Sequence, residues 1–152
     1  TIHNKQPNKR SINQATMGLL LLQLMNYTDL VSVGKDNKNQ ELLMSVYRYI
    51  EEHYKDGELS ELAQMLHYDV YWLSRAIHSF TGATYTELLQ QKRMRQAAYL
   101  LETSGLTVAD IALAVGYENV SYFHRLFQKT YGISPRKYRT AKHTEKEEKN
   151  LG

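Results

Sequence analysis

The chain repeats itself. Glu61-Leu62-Ala63 returns as Asp110-Ile111-Ala112, and Leu66 and Tyr68 return as Val115 and Tyr117. Past that point the offset grows by one residue: Asp69 meets Asn119, Leu73 meets Phe123, Arg75 meets Arg125, Ile77 meets Phe127 and Gly82 meets Gly132. Two copies of one pattern must fold into two copies of one supersecondary unit, which narrows the possible architectures more than any bulk property does. Each copy reads as a short helix, a tight turn and a second helix. The small residue at Ala63 or Ala112 lets the two helices approach closely, and Gly116 supplies the positive φ that such a turn often needs. That is the helix-turn-helix pattern, whose second helix is built to lie in the DNA major groove.

The rest of the chain is equally helical in character. Pro7 and Pro135 are its only prolines, and apolar residues recur three and four apart, so the expected fold is all-α. Leu43, Val46, Tyr47, Ile50 and Tyr54 mark one face of a first helix, ended by Lys55-Asp56-Gly57. Leu59, Leu62, Ala63 and Leu66 mark the next. Asp69 is an N-cap for a third, whose inner face is Val70, Leu73, Ile77 and Phe80. Thr84 with Glu87 reads as a capping box opening a long helix to about Thr103, and Thr107 with Asp110 resembles another. Asn119 caps a helix whose Phe123, Leu126 and Phe127 face inward, and Ser134-Pro135 opens the last one. Residues 32–41 are polar and turn-rich and read as a linker. Residues 143–152 read as a solvated, disordered tail.

Several classes of chemistry are excluded by what is missing. There is no cysteine, so disulfides, thiolate catalysis and cysteine metal sites are out. His53, His67, His78 and His124 lack paired ligand spacing, so no metal site is expected. No nucleophile–base pairing or glycine-rich phosphate loop occurs, so neither catalysis nor a cofactor is expected. The apolar run Met17–Met25 is too short to span a bilayer, and the chain opens on Thr1; it reads as part of something longer.

With both copies laid out, the chain resembles the AraC-type transcription regulators over residues 42–142. The second copy carries most of the likeness: Asp110-Ile111-Ala112, Gly116-Tyr117, Ser121 to Lys129, Gly132-Ile133-Ser134-Pro135 and Tyr138-Arg139. The stretch Arg93 to Leu101 is similar to the family's linker helix. The first copy departs from the pattern at His67, where the second has glycine, at Ile77, where the family often has phenylalanine, and at Glu58, where a Ser or Thr cap is usual. The resemblance implies two helix-turn-helix subdomains, homeodomain-like three-helix units at 42–86 and 105–142, joined by a long linker helix at 87–104. It further implies that two recognition helices enter successive major grooves on one DNA face. Residues 1–31 would then be the closing helical remnant of an effector-binding and dimerisation domain. A small-molecule effector would act only through that missing domain, which would also support a homodimer.

On that footing Tyr71, Ser74 and Arg75 in the first copy, and Val120, Ser121, His124 and Arg125 in the second, are the expected base contacts. Arginine can fork onto guanine, and valine can meet a thymine methyl. Lys129, Arg136, Lys137 and Arg139 are expected on phosphates, which add affinity without sequence information. From Asn119 to His143 there are six Lys or Arg and no carboxylate, as a face laid against phosphates requires. Arg93 is expected to satisfy helix ends rather than touch DNA. Tyr68, Tyr117, Phe123 and Phe127 are expected in the core, and Trp72 against the linker helix. The sequence reading is therefore a sequence-specific, double-stranded-DNA-binding activator, bacterial and cytoplasmic, with RNA polymerase as a compatible further partner and no membrane role. The alternative is a helical protein-interaction module that has lost DNA binding; the acid-free stretch and the two matched arginines count against it.

Overall fold

Capping chemistry sets most of the helix boundaries. A computed structural model describes residues 35–152, and among them seven helices and no strand are found: α1 Lys35–His53, α2 Leu59–Leu66, α3 Val70–Thr81, α4 Tyr85–Thr103, α5 Val108–Ala114, α6 Val120–Tyr131 and α7 Pro135–Leu151. Asp69, Asn119 and Ser134 each accept the backbone N–H three residues on, from Trp72, Tyr122 and Lys137. Thr84 and Glu87 close a reciprocal box, each side chain taking the other's N–H at 3.1 Å. Thr107 takes the Asp110 N–H at 3.1 Å. The expected remnant at 1–31 lies outside the described residues.

The chain divides into two units. Among the described residues, the first comprises those up to His53 together with Gly57–Leu88; the second comprises Tyr54–Asp56 and Leu89–Gly152. In the first, α1 buries the stripe Leu42, Leu43, Val46, Tyr49 and Ile50, and α2 and α3 bury Leu62, Ala63, Leu73, Ala76 and Ile77. Tyr49, not Tyr47, is the tyrosine on the buried face. Its hydroxyl accepts the Glu58 N–H at 3.2 Å and donates to the Glu61 carboxylate at 3.0 Å. Glu58 makes no side-chain cap of its own; the tyrosine oxygen bridges the two groups that a capping box would join directly.

In the second unit, Met94, Ala97, Ala98 and Leu101 of α4 pack with Ile111, Ala112, Val115, Tyr117, Phe123, Phe127 and Tyr138. The helix expected as a linker is therefore, beyond Leu88, the first core helix of this unit. Its apolar face leaves it no other stable role.

Two expectations need correcting. The polar segment 32–41 is helical from Lys35 onward. Lys, Asn and Gln are acceptable on the solvent side of a helix, and neither Gly nor Pro interrupts them before the apolar stripe begins. The tail is helical to Leu151. Lys142 pairs with Glu145 at 3.1 Å, and Lys146 Nζ donates to the Glu102 carbonyl at 3.0 Å, so the charge run is organised by helical spacing.

Candidate nucleic-acid interface

The turns that aim the second helix of each pair are built alike. In the first, the Tyr68 N–H reaches back to Ala63 O at 2.9 Å and the His67 N–H to Gln64 O at 3.2 Å; in the second, Tyr117 reaches Ala112 O at 2.8 Å and Gly116 reaches Leu113 O at 3.1 Å. Both are the paired bonds of a Schellman closure, which needs a left-handed residue just past the helix. His67 takes that place at φ 61° and Gly116 at φ 105°. Glycine is required in the second turn on a further ground. A Cβ there would lie 2.5 Å from the Lys55 carbonyl oxygen and 3.1 Å from the Arg93 guanidinium.

Arg93 crowds that position because its Nε donates to Tyr54 O at 2.6 Å and its Nη2 to Lys55 O at 2.9 Å. It holds the turn after α1, the structural role expected of it, and its guanidinium lies 5.1 Å from the Tyr117 ring centre. Burial pushes the Tyr117 hydroxyl above its usual pKa, with the Arg93 guanidinium pulling the other way. That hydroxyl has no hydrogen-bond partner among the described residues.

With the turns fixed, α3 buries Leu73, Ala76 and Ile77, and α6 buries Phe123 and Phe127. The opposite faces carry the candidates. Tyr71, Ser74 and Arg75 on α3 are exposed, Tyr71 by 72%. Ser121 and Arg125 on α6 are exposed, whereas Val120 and His124 are half-buried. Val120 packs on the core, and the His124 ring stands edge-on to Phe123 at 6.2 Å. Among the described residues neither Arg75 nor Arg125 forms an ion pair, and the Arg125 guanidinium lies 5.8 Å over the Tyr122 ring.

The basic stretch separates into two groups. Lys129, Arg136 and Lys137 are exposed. Arg139, expected on a phosphate, instead donates to the carbonyls of Leu101, Ser104 and Leu106, the last at 2.6 Å. With Lys146 on the Glu102 carbonyl, it closes the C-terminal end of α4 and the loop that follows, where helical carbonyls run out of intrahelical donors. Lys142 is likewise engaged by Glu145 and by the Tyr138 ring.

The aromatic assignments also divide. Tyr117, Phe123 and Phe127 are buried, but Tyr68 is 43% exposed. Its ring stacks on Trp72 at 4.6 Å, and Trp72 is itself 41% exposed. Trp72 therefore packs on the turn. The equality of Tyr68 and Tyr117 in the repeat concealed that only Tyr117 has a guanidinium lying over its ring. Sequence reasoning also passed over Tyr122, although an aromatic three residues before each arginine was a visible signal.

A family profile described as a helix-turn-helix domain matches residues 62–141, over half of the chain. The chain belongs to the AraC-type family of transcription regulators. Among its relatives is an uncharacterised HTH-type transcriptional regulator, YisR of Bacillus subtilis, 30% identical over 122 residues, covering 80% of this chain and 42% of the relative. The transcriptional activator NphR of a Rhodococcus species is 34% identical over 115 residues, covering 72% of this chain and 33% of the relative. The DNA-binding domain of AdpA, a global transcriptional factor solved in complex with a target DNA, aligns with a TM-score of 0.61 at 27% identity, covering 68% of this chain and 94% of that one. This AraC-type chain thus spans less than half the length of those two relatives and nearly all of the solved DNA-binding domain. Among the described residues no helix is long and apolar enough to cross a membrane, and no group of His, Cys, Asp and Glu could hold a metal ion.

Proposed function

We propose that this chain is the DNA-reading part of a transcription activator, and that α3 and α6 enter successive major grooves on one face of the duplex. The observation that carries the reading is the matched placement of Arg75 and Arg125. Each is the sixth residue of its helix, each is exposed, and neither is neutralised by a carboxylate among the described residues. An exposed arginine at equivalent depth on two second helices suits forked recognition of guanine O6 and N7. Tyr71 and Ser74, with Ser121, His124 and the half-buried Val120, would supply the neighbouring base contacts. Lys129, Arg136 and Lys137 would contact phosphate, and the absence of carboxylates around them favours counterion release. The complex of AdpA with its target DNA and the activator name of NphR support the direction of this reading. In the whole protein, a cytoplasmic regulator without enzymatic activity, an effector or a second copy would act through other parts, and RNA polymerase would be a further partner.

The test is a selection of this chain against a random duplex library at physiological salt. Two short motifs about one helical turn apart, roughly 34 Å, are the expected result. A single motif would reduce the reading to one recognition helix. Weak, salt-sensitive binding throughout with no enriched sequence would mean either that an N-terminal part outside this chain is needed or that the interaction-module alternative holds.

A further inference from the structure

Both recognition helices carry an aromatic residue three places before their arginine, Trp72 before Arg75 and Tyr122 before Arg125. Residues three apart share a helix face and can touch. The two pairs are nevertheless built differently. On α6 the Arg125 guanidinium lies 5.8 Å over the Tyr122 ring. That ring is held from two further sides: Gln90 of α4 donates to its hydroxyl at 3.4 Å, and the Tyr117 ring meets it edge-on at 6.0 Å. Tyr117 is in turn buried, with Arg93 over its face. A supported path therefore runs from the core of the second unit out to the arginine. On α3 the arginine has no such contact with the equivalent ring. Trp72 stacks on Tyr68 at 4.6 Å with the planes 22° apart, and the Arg75 side chain has no partner among the described residues.

We infer that Tyr122 is a positioning residue for Arg125, and that the second unit discriminates at its arginine's base pair more sharply than the first unit does. The inference rests on the reading of α6 proposed above. A guanidinium stacked on a ring uses its face and keeps its N–H edge free for a forked acceptor. Laying it there beforehand removes part of the side-chain entropy that an unsupported arginine loses on binding. Arg75, lacking such a shelf, must be ordered by the DNA itself.

The experiment measures affinity for the selected site, for variants of it at each base pair, and for a non-specific duplex. Tyr122→Leu keeps apolar bulk but removes the ring. It should lower discrimination at the Arg125 base pair about two- to fivefold, the range of an exposed cation–π contact, with non-specific affinity unchanged. Tyr122→Phe keeps the ring and should retain discrimination close to that of the parent. Trp72→Leu should leave discrimination at the Arg75 base pair as it was. A Tyr122→Leu protein that discriminated as well as the parent, or that lost specific and non-specific affinity in equal measure, would overturn the positioning role. An equal loss of discrimination from Trp72→Leu at its own base pair would overturn the asymmetry. Arg125→Ala separates the two levels: if it changes no base preference, the reading of α6 itself fails; if it does while Tyr122→Leu has no effect, only the positioning role fails.

Discussion

At the scale of single residues, the basic side chains of one surface fall into three kinds of work, and each has its own signature. Arg125→Ala should cost on the order of 1–3 kcal/mol in specific binding and relax preference at one base pair, read by competition with altered sites. Lys137→Ala should weaken binding to all sequences alike and reduce the salt slope by about one unit, read by titrations at several ionic strengths. Arg139→Ala should leave both the preference and the slope in place but lower thermal stability. Its guanidinium closes three carbonyls at the end of α4, and charge-assisted bonds of that kind contribute of order 1–3 kcal/mol. A salt slope that fell by a full unit in Arg139→Ala, with Tm unchanged, would return that residue to the phosphate contacts. The sequence could show that 119–143 lacks carboxylates, which is a fact of composition. It could not show which cations were already engaged, because the carbonyls that hold Arg139 lie more than thirty positions away, brought near only by the packing of α7 on the core.

At the scale of elements, most boundaries were legible because each cap is a local event. Asp69, Thr84, Thr107, Asn119 and Ser134 each take an N–H three residues on, and that spacing can be read directly. The failures were at 35–41 and 143–151, where polar composition was read as absence of structure. Such segments take the helix of their neighbour when nothing interrupts it, and only Gly or Pro would have announced a stop. The turns offer a sharper case. His67 stands in the left-handed region that costs a residue with a Cβ about 1–2 kcal/mol, partly offset by the backbone freedom that glycine would lose on folding. His67→Gly should therefore stabilise the first unit by up to about 1 kcal/mol, seen as a rise in Tm. Gly116→Ala should do the reverse and by more, since its Cβ would also meet the Lys55 carbonyl oxygen at 2.5 Å. Equal tolerance of both changes would mean that the two turns do not carry the strain their φ angles imply.

At the scale of the whole molecule, the duplication is the organising fact, and it was legible because both copies retain the same spacing of core and cap residues. What the repeat could not express was divergence: Tyr68 half-exposed and Tyr117 inside, Tyr122 beneath its arginine and Trp72 without contact to its own. If the two recognition helices read separately, Arg75→Ala should erase one of the two selected motifs and Arg125→Ala the other. Loss of both motifs from either change would show that the units bind only in concert.

Neither helix-turn-helix pair is closed upon itself. The first begins at a helix whose start is bridged by Tyr49 of α1, and the second rests on Met94, Ala97, Ala98 and Leu101 of α4. For anyone grafting a reading head onto another scaffold, the transplantable piece is consequently three helices long. The stretch that looks most like a motif on the page is its least portable part, because the hydroxyl and the apolar stripe that finish it belong to the helix before.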